Sequence, residues 1–190
     1  RLDSIFEKLA ENVYEKLPNP VEHNYKMVGS FRRGSESSSD IDILMYFKYR
    51  GKTSLGICEL FVQELAKTNM LTHKINQGTN RFTGIIVDSQ GIHRQLDVWI
   101  VFPNSWGTAL LALTGPDSFN RHIRQIAKEQ GYKLSEYNIT RLSDDRKFYP
   151  TSEHEVFDFF KLPYLHPEDR ELHVSNNQIL KKSTGKPSKS

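Results

Sequence analysis

A chain of 190 residues is long enough for one ordinary domain or two small ones sharing a boundary. Hydrophobic residues make up 37 %, aromatics 11 % and charged residues 26 %, a polar mixture that still holds enough aromatics for a core. Lys and Arg number 26 against 23 Asp and Glu, a net charge of +3 that permits a nucleic-acid partner without requiring one.

No window approaches about 18 consecutive apolar residues, which excludes a transmembrane helix. Cys58 is the single cysteine, so the sequence contains neither an intramolecular disulfide nor a thiolate zinc site. The opening residues Arg1-Leu2-Asp3-Ser4 show no secretory pattern, and a reducing, intracellular setting is expected.

In chain order, Leu2, Ile5, Phe6, Leu9, Val13 and Leu17 form one stripe that predicts a helix over 2–17, stopped by Pro18 and Pro20. A short strand is expected over 25–28, ended by Gly29-Ser30. The basic turn that follows leads into a strand over 40–47, alternating at first and then fully apolar, as a buried strand is. A second amphipathic helix is predicted over 54–67, carrying Leu55, Cys58, Phe61, Val62 and Leu65, and strands over 81–87 and 95–101. Beyond Phe102-Pro103 the pattern changes. Residues 107–113 are small and apolar, and Thr114-Gly115-Pro116 opens a helix to about Gln130 with Gly131 as its C-terminal cap. Residues 134–140 and 148–149 read as a hairpin around Ser143-Asp144-Asp145. Ser152-Glu153-His154-Glu155 is a capping box for a last helix through Lys161, and the polar, basic sequence after about 173 is expected to be disordered.

Asp40 and Asp42 lie two apart on one strand, so both side chains leave the same face, with Cα atoms about 7 Å apart. Two carboxylates at the start of an apolar strand repel one another unless a cation sits between them. Asp97 repeats the theme inside Leu96-Asp97-Val98-Trp99-Ile100; on a neighbouring strand it would bring a third carboxylate to the same point. Oxygen ligands without His or Cys select magnesium or manganese. Strand capping or pairing with an arginine accounts for any one of these acids, but poorly for all three. Gly29-Ser30 precedes the acid pair, where glycine allows close backbone approach and Ser30 and Arg33 supply donors to a phosphate. Gly-Ser, then Asp-x-Asp, then a distant third acid describes a nucleotidyl-transfer site in which two metals clamp a phosphoryl group.

Gly29-Ser30-Phe31-Arg32-Arg33-Gly34, Ser38-Ser39-Asp40-Ile41-Asp42 and Leu96-Asp97 resemble the palm of the family X DNA polymerases. An independent stretch from Thr114-Gly115-Pro116-Asp117 through Phe119-Asn120-Arg121 to Arg124, followed by Gly131-Tyr132 and Glu136-Tyr137, is similar to the nascent-base-pair helix of the same family. The likeness covers residues 1–170. It implies an α+β fold: a nucleotidyltransferase-type mixed-sheet palm over 1–106 and a small α/β thumb over 107–173, before a basic tail over 174–190.

The resemblance further implies that Asp40, Asp42 and Asp97 are the catalytic residues and the ligands of two Mg2+ (or Mn2+) ions, with Asp97 helping to activate the primer 3′-hydroxyl. Gly29, Ser30, Arg33 and Ser39 would hold the triphosphate, and Gly115, Asp117 and Asn120 the rest of the nucleotide. Arg124, Arg121 and Arg94 would contact template or DNA, although a solvated helix face is the plain alternative for Asn120 and Arg124. The implied partners are a primer-template or gapped DNA and nucleoside triphosphates, with no membrane, for a monomer that acts in short-gap repair and, in a eukaryote, in the nucleus.

Departures from the family pattern fall at three places. The sugar gate, commonly two aromatics, is Ala112-Leu113; Gln95 replaces a frequent arginine two before the third aspartate; Ser39 replaces a glycine before the acid pair. Ala112 and Leu113 are expected on a strand turn facing the sugar. The lyase domain common in the family has no counterpart here, so the chain reads as a minimal polymerase or a catalytic fragment. The rival functions are a template-independent nucleotidyltransferase and a DNA-end-binding module with decayed catalysis.

Overall fold

Residues 1–175 are described by the structure, a computed structural model. Residues 1–31 and 36–103 gather into one unit, and residues 32–35 with the described residues from 104 onward into a second.

In the first unit, helix α1 (Leu2–Lys16) turns Phe6, Leu9, Ala10 and Val13 inward and ends where Leu17 becomes extended before Pro18. Strand β1 (Pro20–Met27) starts five residues before the expected 25, since its first seven residues are exposed or half-buried and show no apolar alternation. Pro20 is tolerated there as the first residue of an edge strand. Strand β2 (Asp40–Tyr49) lies next to it, followed by helix α3 (Ile57–Ala66), strands β3 (Leu71–Gln77), β4 (Arg81–Val87) and β5 (His93–Ile100); the single turn Gly29–Arg32 before β2 is α2. The sheet order is β1-β2-β5-β4-β3, with β2 and β5 parallel and the other neighbours antiparallel.

Two further elements differ from the sequence pattern. β3 was not expected: six of its seven residues are exposed, and backbone pairing with β4, not a buried face, makes it a strand. Helix α3 starts at Ile57, not 54, because Gly56 is extended at its N-cap, leaving Leu55 outside the helix and 40 % exposed.

One face of the sheet packs Ile41, Ile43, Met45, Phe82, Leu96 and Val98 against α1 and the Phe61, Val62 and Leu65 side of α3. Cys58 belongs to this core as a small apolar filler, and burial, followed by the charge of Glu59, pushes its thiol up to about 11. The alternation that sends Leu96 and Val98 inward leaves Gln95, Asp97 and Trp99 on the opposite face.

In the second unit, the run 107–113 forms helix α4 (Trp106–Thr114). Ala112 and Leu113 therefore sit in the last turn of a helix, not on a strand turn: Ala and Leu are strong helix formers, and Gly115, at φ 64°, ends the helix. Gly107 is required by close packing, since a Cβ there would stand 2.6 Å from the Pro150 carbonyl oxygen and 2.8 Å from the Ser152 amide. Helix α5 (Asp117–Glu129) follows, with Gly131 at φ 89° just beyond its end. The span expected as one strand over 134–140 is two, β6 (Tyr132–Leu134) and β7 (Ile139–Arg141), because the Ser135 amide donates to Asn138 O at 3.0 Å and closes a turn. β7 pairs with β8 (Lys147–Phe148) around Asp144, as the hairpin signal indicated.

Ser152 caps helix α6 (Glu153–Phe159), its Oγ accepting from the Glu155 amide at 3.2 Å. The return bond goes one residue earlier than a capping box has it, from the Thr151 amide to Glu155 Oε2 at 2.7 Å. Helix α7 (Pro167–Ser175) was not expected, because its fully buried anchor is Arg170, a residue that hydropathy reads as surface. Phe119, Ile123, Ile139, Val156, Phe157 and Phe160 make the core of this unit. The basic tail expected over 174–190 lies, from 176 onward, outside the described residues. Among the described residues no helix is long and apolar enough to cross a membrane.

Candidate active site

The parallel pairing of β2 with β5 sets Asp42 opposite Asp97 and Asp40 opposite Gln95. Partners in register on neighbouring strands share a face, so the three aspartates stand together on the side of the sheet away from α1 and α3. Asp97 is half-buried and hydrogen-bonded at both oxygens: Thr83 Oγ1 donates to Oδ1 at 2.6 Å and Gln95 Nε2 to Oδ2 at 3.1 Å. Thr83 lies directly opposite Asp97 on β4.

Asp42 leans over the turn that precedes it. Gly29 has φ 63°, and a Cβ added there would come 2.5 Å from Asp42 Oδ2, so only glycine fits, both for its backbone angle and for the space beside the carboxylate. Ser30 Oγ donates to Ser38 Oγ at 3.1 Å, and Ser38 Oγ in turn donates to Asp40 O at 2.6 Å. Ser38, which sequence reasoning passed over in favour of Ser39, thus joins the Gly-Ser turn to the acid pair. Ser39 itself is exposed, and its carbonyl accepts from the Gln95 amide at 3.2 Å. Arg94, expected on DNA, donates from Nη1 to Ser38 O and from Nε to Asp88 Oδ2 at 3.4 Å; its guanidinium braces this same turn.

Asp40, Asp42 and Asp97 are an all-carboxylate donor set, suited to a hard dication, and the glycine cradle leaves the Asp42 carboxylate room. As they stand, they are not drawn into a ready cage: among the described residues no three His, Cys, Asp or Glu side chains gather closely enough to hold a metal ion.

The remaining expected residues belong to the second unit. Arg33 donates from Nη1 to Thr114 O at 2.7 Å, and its Nε is 3.7 Å from Glu171 Oε2. Arg32, which the sequence did not single out, makes two bonds to Glu153 (2.9 and 2.6 Å) and a third to Thr114 Oγ1 at 2.7 Å. Asn120 is buried, not on a solvated face; its Nδ2 donates to Ala112 O at 2.7 Å, while its Oδ1 has no protein partner. Asp117 and Arg121 are exposed. Arg124 is exposed too, 3.9 Å from Glu136, and borders a cleft of about 630 Å³ that Lys128, Lys133, Tyr132 and Tyr137 also line. Cations beside aromatic rings suit a sugar-phosphate backbone and its bases.

Residues 4–103 match the family model of the DNA polymerase beta palm and residues 109–171 that of the DNA polymerase beta thumb. DNA polymerase lambda of Arabidopsis thaliana is 28 % identical over 187 residues, 87 % of this chain and 35 % of that protein. DNA polymerase lambda of Rattus norvegicus is 31 % identical over 160 residues, 75 % of this chain and 28 % of that protein. The DNA polymerase/3'-5' exonuclease PolX of Bacillus subtilis is 28 % identical over 148 residues, covering 77 % of this chain and 24 % of its own. The chain thus spans about a third or less of the length of these relatives.

Proposed function

The chain belongs to the family X DNA polymerases, of which it carries the palm and the thumb, and from that premise we propose that it adds deoxynucleotides to a primer 3′-hydroxyl as a template strand directs. The observation that carries this reading is the in-register pair Asp42 and Asp97, with Asp40 on the same sheet face and Gly29 against Asp42.

Asp97 activates the primer 3′-hydroxyl, whose oxygen forms the new bond to the α-phosphorus as pyrophosphate leaves. Two Mg2+ or Mn2+ ions held by Asp40, Asp42 and Asp97 would stabilise the charge that develops on the transferring phosphoryl group. Gly29, Ser30, Ser39 and Arg33 bind the triphosphate; for Arg33 this means exchanging the Thr114 carbonyl for a phosphate. Gly115, Asp117 and Asn120 contact the nucleotide, and the unpartnered Oδ1 of Asn120 supports a polar contact there. Arg124 and Arg121 meet the template, and Arg94 acts through the turn it braces. Filling short gaps in DNA repair is the role that fits these parts.

Chelation with EDTA is expected to stop incorporation, and added Mg2+ or Mn2+ to restore it. Omitting the template should stop it too. Product formed without template would favour an untemplated nucleotidyltransferase, and DNA binding with no product a decayed end-binding module.

Sugar choice follows from Ala112 and Leu113. Neither fills space as an aromatic ring does, and Ala112 borders a void of about 10 Å³ with Asn120 and Arg124. A pocket without a rigid wall rejects an added hydroxyl poorly. Ribonucleotides should therefore be incorporated more readily than by relatives with two aromatics there, and Ala112→Tyr should restore discrimination. The ratio of kcat/KM for deoxy- and ribonucleotides reads this; strong discrimination by the wild type, unchanged in the variant, would remove these side chains from the gate.

DNA affinity should fall steeply with salt, since the net charge of +3 leaves phosphate contacts as the main attraction. Lys128→Glu with Lys133→Glu should weaken primer-template binding and reduce the slope of log K against log salt by about 2. An unchanged slope would take the cleft out of the DNA interface.

A further inference from the structure

We propose that Thr83 is the positioning residue for Asp97: its hydroxyl fixes the rotamer of a carboxylate that shares its sheet face with the acid pair, an inference that rests on the polymerase reading above. The geometry is specific. Thr83 and Asp97 are direct partners across antiparallel β4 and β5, and the Oγ1–Oδ1 bond of 2.6 Å is the shorter of the two that Asp97 accepts. Gln95 supplies the other, at 3.1 Å, from two residues earlier on the same strand.

The two donors differ in stiffness. Threonine is β-branched, and on a strand its χ1 is restricted, so its hydroxyl has a fixed direction. Glutamine reaches Asp97 through three rotatable bonds and constrains it less.

Both donors are neutral. Arg81, the other polar residue of β4 on this face, is committed elsewhere, its guanidinium lying 3.7 Å from the centre of the Trp99 ring. Arg94 is engaged with Ser38 and Asp88. An arginine bonded to Asp97 would orient it but also cancel its charge. A hydroxyl and an amide orient it and leave the charge intact. An ionised carboxylate has about four lone-pair sites, so one hydrogen bond at each oxygen leaves capacity on both for a cation. Thr83 thus reduces the freedom of a ligand without competing for its charge, which is how an outer hydrogen bond tunes a metal site.

The test compares Thr83→Val, which keeps the β-branched shape and removes the hydroxyl, with Thr83→Ser, which keeps the hydroxyl. Single-nucleotide incorporation on a primer-template is measured for the whole chain, together with Mn2+ binding followed by electron paramagnetic resonance. In Thr83→Val, kcat is expected to fall about 10- to 100-fold with KM for the nucleotide changed less than about twofold, and Mn2+ to bind more weakly. Thr83→Ser is expected to recover most of both. A kcat within about twofold of wild type in Thr83→Val, or equal losses in the Val and Ser variants, would overturn the assignment. If Thr83→Val does not fold, Thr83→Ala takes its place with the same criteria. A wild type that adds no nucleotide would instead overturn the polymerase reading; the Mn2+ titration then judges Thr83 alone, and unchanged affinity in the Val variant counts against it.

Discussion

Asp97→Ala is expected to abolish nucleotide incorporation while nucleotide binding survives. Asp40 and Asp42 remain on β2, with Gly29 beside them, so the groups proposed to hold the triphosphate are untouched. What is lost is the carboxylate opposite Asp42 in the register, the group assigned to the attacking hydroxyl. A contribution made to the transition state and not to the bound nucleotide lowers kcat and leaves KM in place. Loss of a carboxylate proposed as a metal ligand should cost about 4 kcal/mol, roughly a thousandfold in rate. Asp97→Asn separates charge from shape, since its amide oxygen still accepts from Thr83; it should be nearly as inactive as Asp97→Ala. Single-turnover incorporation beside equilibrium nucleotide titration reads both quantities. Near-normal turnover in either variant would remove Asp97 from the catalytic set.

The second large effect concerns the folding of the second unit. Glu153 is 3 % exposed and is held by two arginines: Arg32 through two hydrogen bonds and Arg170, itself fully buried, through Nη1 at 2.8 Å. Arg170 also donates to Leu165 O at 3.1 Å and lies over the Phe119 and Phe157 rings. Glu153→Gln keeps the volume of the side chain but leaves two guanidiniums facing an amide that carries no charge. Removing one partner of a buried ion pair typically costs about 3–5 kcal/mol, a large share of the roughly 5–15 kcal/mol by which a domain is stable. Urea titration followed by tyrosine and tryptophan fluorescence should show the transition of this unit at clearly lower urea in the variant.

Its pH dependence has a definite sign. Burial alone would push the Glu153 carboxyl up, but the hydrogen bonds and charges of Arg32 and Arg170 outweigh burial and hold it below the usual glutamate value. A folded pKa below the unfolded one contributes stability that is fully present above the unfolded value, about 4.5, and is lost as pH falls through the folded value. Wild type should therefore lose stability below about pH 4.5 more steeply than Glu153→Gln does. Equal acid sensitivity of the two proteins would show that Glu153 stays charged throughout, or does not matter.

Elements that bury an apolar face were readable from the sequence. The stripe from Phe6 to Val13 gave α1 to within one residue, and the alternation of Leu96, Val98 and Ile100 gave β5 to within two, since it starts at His93 and ends at Ile100. Asp42 and Asp97 were readable for the same reason inverted, as charges placed where an apolar strand has no use for them. What lacks an apolar signal was missed. β3 exists by pairing to β4, and α7 is anchored by Arg170, whose place in the core depends on a carboxylate seventeen residues earlier in the chain. Arg32 carried no signal of its own: its partner is Glu153, and no local pattern links the two. Thr83 read as an ordinary strand residue. Its significance comes from register, which is fixed by the pairing of whole strands and not by any motif.

Template direction is the central claim, and one experiment addresses it most directly. A primer is annealed to four templates that differ only in the single templating base, and each of the four deoxynucleotides is offered alone with Mg2+. The expected result is that the nucleotide added follows the templating base through all four changes. Addition of the same nucleotide whatever the templating base, or no addition on any template, would contradict it.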